Sequence, residues 1–262
     1  MPKTIKPVAY PKSFESKFIK LTETMTDLMA KQYFNETIKK LNKSTVDKFS
    51  DKQYGSYGKI FLTLSKKSKR KLMKRFSDER IDKAVSDILM QLNTSNQKAF
   101  YKNVEEEIGI DVKQLIYQEK LKGDIQSLIL ETQEWVKTLR DDNLKYFNNN
   151  VLRAMTQNKS LDEVISEFDM NYRKRKNYAK FIARNQIANY NGMLSKVRAE
   201  SFGIDKAVWV TSRDERVRSS HVDRDKKEFD LSVGLYSEID KKTLLPGTDY
   251  QCRCIYRFVL PD

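Results

Sequence analysis

The sequence contains little glycine, proline, cysteine or histidine. Its 262 residues include 8 glycines, 5 prolines and 2 cysteines. So few turn-forming residues argue against β-sandwiches, barrels and propellers, which need tight turns every few residues. Two cysteines cannot form a disulfide framework, which fits an intracellular site of synthesis. Because His221 is the one histidine, a metal site with several histidine ligands is excluded.

Long hydrophobic runs are lacking as well. No stretch of 18 apolar residues occurs, so the sequence predicts no membrane span. The first residues have no apolar core of the kind that a secretory signal needs, and we expect no signal peptide. Residues 1–12 carry three prolines and no apolar periodicity. They predict an extended arm that is not part of a core.

Positive charge, by contrast, is abundant and unevenly distributed. The chain has 50 Lys and Arg against 36 Asp and Glu, a formal net charge of +14. Residues 201–262 contain 11 basic and 11 acidic side chains, so the whole excess lies in residues 1–200. A basic region favours contact with a polyanion, because each phosphate contact releases counterions. The alternative is a solvated, lysine-rich surface without such a partner.

Apolar residues recur at intervals of three and four through most of the first 200 positions, which indicates amphipathic helices. The predicted helices are 14–42, one that starts after Ser77, one that starts at Thr94 or Ser95 and stops at Gly109, 113–157, a short one from Ser160, and 172–201. Gly123 and Asn148–Asn150 predict kinks or breaks. We therefore expect a mainly α fold, with a basic helical body over residues 13–203.

The character of the sequence changes after Gly203. Residues 207–211 and 252–260 have the β-branched and aromatic content of strands. The stretch between them is rich in Asp and Ser. We expect a small α+β module over residues 204–262, with Trp209 in its core because a lone Trp in an apolar strand has a large surface to bury.

Two clusters of basic residues are candidates for phosphate contact. The first lies on a predicted helix and consists of Lys66, Lys67, Lys69, Arg70, Lys71, Lys74 and Arg75. The second consists of Arg173, Lys174, Arg175 and Lys176, with Lys180 and Arg184 on the following turns. Neither matches a base-reading motif, so we expect non-specific binding to double-stranded DNA. The alternative for each cluster is an ordinary solvated helix face.

A polar segment and the two cysteines form a third candidate site. Cys252 and Cys254 are two residues apart, so on a strand they point to one face. With His221 they predict a metal site, such as a structural zinc, with Asp223, Asp225 or Asp249 as a fourth ligand. The alternative is a pair of buried thiols beside a hydrogen-bonded histidine. We expect Asp214 to cap the turn after the first strand and to pair with Arg216 or Arg218.

An enzymatic interpretation has weaker support. A metal-dependent, nuclease-like hydrolase would use the cluster of His221, the cysteines and the nearby aspartates. These carboxylates have no ordered spacing on one face, and no helper motif accompanies them. We therefore expect no enzymatic activity and no catalytic residues.

The ordered set of C-terminal motifs resembles a known family. It comprises Ala183-Arg184-Asn185-Gln186, Asn191-Gly192, Gly203-Ile204, Trp209, Asp214-Glu215-Arg216-Val217-Arg218, Ser220-His221 and Cys252-Arg253-Cys254. This set is similar to the phage Mu F-like head morphogenesis proteins, also called minor capsid or minor head proteins. The resemblance extends weakly back to Ile108-Gly109-Ile110-Asp111. Family members often have more prolines before the final cysteines than the single Pro246 found here.

The resemblance implies a structural protein of a tailed phage. Such a protein is present in few copies inside the capsid near the portal, and in the host cytoplasm during assembly. Its partners are the portal protein, other head proteins and packaged DNA, and it aids head assembly or genome ejection. The basic body and the neutral module are compatible with these expectations.

Overall fold

The computed structural model describes residues 3–43, 54–109, 122–157, 159 and 161–261. Its helices are α1 (Lys12–Tyr33), a π-helical turn (Phe34–Ile38), α2 (Lys39–Lys43), α3 (Tyr54–Arg75), α4 (Asp78–Ile108), α5 (Lys122–Thr156), α6 (Leu161–Ser201) and α7 (Ser219–Arg224). Its strands are β1 (Lys206–Val210), β2 (Glu228–Asp230), β3 (Leu235–Ser237), β4 (Lys242–Leu244) and β5 (Ile255–Val259). A mainly α fold with a small C-terminal α+β module is thereby confirmed. Among the described helices, none has an apolar stretch long enough to cross a membrane.

The helices are longer than the sequence predicted. Three predicted interruptions are wrong: the helix is continuous through Thr94 and Ser95, through Asn148–Asn150, and from residue 161 into residue 172. The Thr94 hydroxyl donates to the carbonyl of Met90 in its own helix instead of capping a new one. Asn148 accepts hydrogen bonds from two other helices. Packing overrides the local preference of Asn148 for turns, whereas exposed Thr94 stays helical with a hydrogen bond inside its own helix.

Some predicted features fall partly outside the described residues. These are the start of the predicted helix 113–157, the capping residue Ser160, and Ile110-Asp111 of the resemblance. Gly123 lies at the second position of the described helix α5, so the predicted break there borders the residues that the structure does not describe. Gly203 has a φ of +73° directly after α6, as expected for a glycine that ends a helix.

The chain divides into two compact units. One, here the mixed unit, comprises residues 1–18, 85–132 and 183–262; the other, the helical unit, comprises residues 19–84 and 133–182. In the helical unit, the rings of Tyr33, Phe147 and Phe168 lie 5.1–6.2 Å apart at their centroids. Buried Thr26 accepts a hydrogen bond from Asn143 in the same unit. An aromatic cluster and polar contacts between helices thus form this core.

A three-stranded antiparallel sheet forms the centre of the mixed unit, with strand order β2-β1-β5. Trp209 on β1 pairs with Tyr256 on β5, and Ala207 pairs with both Phe229 and Phe258. A separate two-stranded sheet joins β3 and β4. The core of the mixed unit is not confined to residues 204–262, since Phe100 and Val104 of α4 and Ala199 of α6 also belong to it.

The N-terminal arm is part of this core. Residues 3–11 contain no helix, but Thr4 forms a β-bridge with Val259, and the Ile5 amide donates to the carbonyl of Phe258 at 2.9 Å. Ile5 and Val8 are buried among the core residues. The prediction that the arm lies outside any core is therefore wrong. The proline content kept the arm from being helical, whereas two apolar side chains sufficed to bury it.

Candidate functional site

Trp209 anchors the candidate site. Its side chain is fully buried, as predicted, and the indole meets the His221 ring edge to face with centroids 5.7 Å apart. The backbone N–H of Trp209 donates to the carbonyl of Lys227, and the N–H of Lys226 donates back to Trp209. These bonds extend the β1–β2 pairing beyond the strand ends. They fix the polar segment, with α7 inside it, against the sheet.

His221 lies on α7 and is buried between a carboxylate and two thiols. Its Nε2 is 3.1 Å from Oδ2 of Asp249, and its Nδ1 is 3.7 Å from Sγ of Cys252 and 3.5 Å from Sγ of Cys254. The structure thus places His221 against the two cysteines, as the sequence predicted. Burial lowers the pKa of His221, but the hydrogen bonds with Cys252 and Asp249 outweigh this effect and leave the pKa above its ordinary value.

The two cysteines lie in the segment before β5, are free, and are both buried. Sγ of Cys252 accepts the backbone N–H groups of Gly247 and Cys254, each at 3.4 Å. The pKa of Cys252 lies well below its ordinary value because the Cys254 thiol donates to its sulfur and because His221 also stabilises the thiolate, against the effect of burial. The hydrogen bond to Cys252 and burial raise the pKa of Cys254.

The loop that carries Asp249 is held against α6 by two glycines. A Cβ on Gly192 would lie 2.5 Å from the carbonyl oxygen of Pro246, and one on Gly247 would lie 2.6 Å from that of Ala188. Gly247 also has a φ of +90°, which favours glycine. The backbone N–H of Gln251 donates to Oδ1 of Asn185 at 2.6 Å. Asn185 and Gly192 of the motif set therefore position the loop before Cys252.

Arginine side chains surround a cavity of about 270 Å³ next to these residues. The cavity is lined by His221 and both cysteines, and by Arg184, Arg216, Arg218 and Arg253. Arg218 pairs with Asp249 at 2.5 Å, and Arg184 pairs with Glu15 at 3.3 Å. The arginines make the cavity polar, and the carboxylates of Asp249 and Glu15 neutralise part of its positive charge.

Asp214 caps the turn after β1 by accepting the backbone N–H of Arg216 at 3.1 Å. Its ion pair, however, is with Arg253 at 2.6 Å, so the predicted side-chain pairing with Arg216 or Arg218 is wrong. Burial alone would raise the pKa of Asp214, but these contacts leave it below its ordinary value. The sequence could not indicate Arg253, because the partner is 39 residues away.

The sequence also gave no indication of a buried arginine beside the site. Arg224 of α7 is fully buried, and its guanidinium binds both carboxylate oxygens of Asp240 at 2.8 and 3.0 Å. It also donates to the carbonyls of Ser220, Leu235 and Lys242. Arg224 thereby connects α7 to strands β3 and β4. In the sequence, Arg224 is one of many charged residues in a polar segment, and no pattern separates it from those that are exposed.

The first basic cluster lies on the solvent-facing side of α3. Phe61, Ser65, Ser68 and Leu72 are buried at spacings of three and four, so the opposite face is exposed. All seven predicted residues, Lys66, Lys67, Lys69, Arg70, Lys71, Lys74 and Arg75, are exposed. Lys71 pairs with Glu36 at 2.8 Å. Within the described ranges, no carboxylate lies within 4 Å of Lys66, Lys67, Lys69, Arg70 or Lys74.

The second basic cluster is largely used inside the helical unit. Arg175 is half-buried, donates to Asn143 at 2.6 Å and lies over the rings of Tyr146 and Tyr178. Burial lowers its pKa. Lys176 pairs with Asp27 at 3.2 Å. Only Arg173 and Lys174 of this cluster are exposed on α6.

Comparison with known proteins gives two matches. Residues 145–257 match the family described as Phage Mu protein F like protein. The chain is also similar to an uncharacterized protein of Haemophilus influenzae, with 27% identity over 249 residues, which is 90% of this chain and 54% of the relative. The chain thus spans about half the length of that relative. No solved structure matches the chain.

Proposed function

Because residues 145–257 form a Mu F-like region, as the C-terminal motifs predicted, we propose that the protein is a minor head protein of a tailed phage. In this proposal it lies inside the capsid near the portal protein, contacts packaged DNA without sequence preference, and aids head assembly or genome ejection. The family is one of phage head morphogenesis, which supports association with the virion and with other head proteins.

The observation that carries the DNA-binding part is the exposed basic face of α3. Six of the seven cations in the first basic cluster have no carboxylate partner among the described residues, whereas most of the arginines around the C-terminal cavity have one. Cations that repel one another along one helix face are stabilised when an anion lies against them. A DNA backbone, which carries one negative charge per about 1.7 Å of duplex, fits a helix face of this kind. Arg173 and Lys174 offer a second, smaller contact.

The hydrolase alternative receives less support from the structure. A Mg²⁺-dependent hydrolase of phosphodiesters binds its metal ions through carboxylates. The carboxylates of the polar segment instead bind neighbouring groups: Asp214 binds Arg253, Asp223 binds Lys227, and Asp225 accepts from Thr211. In the part of the chain that the structure describes, the one group of potential metal ligands contains no carboxylate. A structural role is therefore the better interpretation of this segment.

A salt titration of DNA binding tests the proposal. Fluorescence anisotropy with two unrelated duplexes should give equal affinities that fall steeply with salt. Changing Lys66, Lys67, Arg70 and Lys74 together to Gln should reduce the slope of log K against log salt by about 0.9 for each phosphate that the variant no longer binds. The matched control changes four exposed cations of the C-terminal segment to Gln, namely Lys206, Lys227, Lys242 and Arg257.

The control removes the same net charge from another surface. If both variants reduce the slope equally, α3 is not the binding face and only overall charge matters. If the full-length protein discriminates strongly between the two duplexes, non-specific binding is wrong.

A further inference from the structure

Three metal-ligating atoms converge inside the mixed unit. Nδ1 of His221 and the sulfurs of Cys252 and Cys254 all lie within 4.8 Å of one another. The two nitrogen–sulfur distances are 3.7 and 3.5 Å. A tetrahedral zinc ion with bonds of about 2.3 Å to sulfur and about 2.0–2.1 Å to nitrogen separates these ligands by about 3.5 Å. Both nitrogen–sulfur distances are therefore close to those that a zinc ion requires.

A hydrogen bond from or to Nδ1 of His221 cannot serve both of its sulfur neighbours at once. An ionised carboxylate only accepts, so Nε2 of His221 is the nitrogen that donates to Asp249. Nδ1 then faces two sulfurs with a single lone pair, or with a single proton when the ring is charged. Either can serve only one sulfur at a time. A metal ion between the three atoms would bind all of them.

The surroundings of the cluster are those of metal ligands. A carboxylate on the far nitrogen of a histidine fixes the tautomer that presents the other nitrogen to a metal. Backbone N–H groups that donate to Sγ of Cys252 stabilise its thiolate form. One of these groups belongs to Gly247, which packs closely against α6. The ligands are thus held in place before any ion arrives.

We propose that His221, Cys252 and Cys254 bind one zinc ion, which connects α7 to the segment before β5 and stabilises the mixed unit. Two thiolates and an imidazole form a soft ligand set that suits zinc. The three residues also line the cavity of about 270 Å³, which has room for a fourth ligand beside them. Asp223 and Asp225, two candidates for the fourth ligand, bind Lys227 and Thr211 instead.

The zinc proposal does not depend on DNA binding, so a negative result for one does not contradict the other. The decisive measurement is a titration of the metal-free, reduced full-length protein with Co²⁺. We expect thiolate-to-cobalt charge transfer and the intense visible absorption of a tetrahedral site, saturating at one equivalent and displaced by Zn²⁺. A chelator should lower the thermal midpoint of the zinc-loaded protein, and added Zn²⁺, but not Mg²⁺, should restore it.

Variants assign the site to its residues. Cys254→Ser and His221→Ala should lose stoichiometric binding, with circular dichroism used to verify their fold. Asp249→Asn should keep the charge-transfer band but bind about 10–100-fold more weakly, because it acts through the histidine. Asp223→Asn is the matched control and should bind as the wild type does.

Two results would overturn the proposal. One is the absence of cobalt charge transfer in folded, reduced wild-type protein. In that case the Cys252 thiolate would react rapidly with iodoacetamide, at the same rate with and without Zn²⁺. That result would identify a reactive thiolate–imidazolium pair. The other is one equivalent of metal that persists in both folded ligand variants, which would place the ion elsewhere.

Discussion

The buried arginines of the mixed unit and the exposed cations of α3 use positive charge in different ways. In the mixed unit, Arg198 and Arg224 are completely buried, and their guanidinium groups bind asparagine side chains, a carboxylate and backbone carbonyls. On α3 of the helical unit, most cations of the first basic cluster project into solvent without a carboxylate partner among the described residues. A buried charge must have partners, because desolvation is costly. An exposed cation needs none and remains available to a polyanion.

The units also differ in what holds them together. The helical unit depends on amphipathic helices whose buried faces carry aromatic rings. The mixed unit adds a polar framework around one tryptophan: His221 with its partners, Arg224 with Asp240, and Asp214 with Arg253. Removing one partner of such a framework leaves another buried polar group unpaired. Substitutions within this framework should therefore cost more than substitutions on the exposed faces of the helical unit.

The largest expected difference in stability is between substitutions of the buried and the exposed tryptophan. Trp209→Ala should lower the free energy of unfolding by about 3–5 kcal/mol, because it empties the centre of the mixed unit. Trp135→Ala is the control, since Trp135 is 40% exposed on α5 of the helical unit; it should cost less than about 1 kcal/mol. Urea unfolding followed by circular dichroism measures both. Equal costs would contradict the contrast between the units.

A smaller effect tests the buried N-terminal arm. Ile5→Ala should cost about 2–4 kcal/mol, because Ile5 is 1% exposed and packs into the core of the mixed unit. Ile60→Ala on α3 makes the same chemical change at an exposed position and should cost less than about 1 kcal/mol. The same unfolding experiment serves here. A negligible cost at Ile5 would mean that the arm is dispensable for this core.

The smallest effect compares a buried ion pair with a surface pair. Asp240→Asn should cost about 2–3 kcal/mol at neutral pH, because Arg224 then keeps only uncharged partners. Glu36→Gln, which breaks the exposed pair with Lys71, should cost less than about 1 kcal/mol. If the two substitutions cost the same, burial of Arg224 contributes nothing to the pair.

Acid gives a second measurement of the Asp240 pair. The hydrogen bonds from Arg224 hold the pKa of Asp240 well below its usual value of about 3.9. A carboxylate with a lowered pKa stabilises the folded state fully above the unfolded pKa, and the effect is lost as the pH falls through the folded pKa. The stability difference between wild type and Asp240→Asn should therefore stay constant down to about pH 4 and shrink only below it. A difference that shrinks between pH 7 and pH 5 would contradict this.

The sequence predicted much of the fold and most residues of the site, but few of the hydrogen-bond and ion-pair partners of those residues. Helical periodicity located α1, α4, α5 and α6, although Thr94 and Asn148 predicted breaks that the structure does not have. Packing against two other helices explains this at Asn148. The spacing of Cys252 and Cys254 predicted a shared face, and the combination of two such thiols with the single histidine predicted that His221 would be close. Asp249 was one of three candidate ligands. Its contact with Nε2, rather than with a metal, depends on how the loop packs on α6.

By itself, the sequence determined the mainly α character, the separation of charge along the chain, the central place of Trp209 and the Mu F-like motifs. These features are local or compositional, so periodicity and order along the chain are enough to encode them. The tertiary structure decided the rest: the arm beside β5, the pairing of Arg224 with Asp240, and the convergence of three ligand atoms. Each of these joins groups that are distant in sequence, and only packing sets the distances and burial on which hydrogen bonding and metal binding depend.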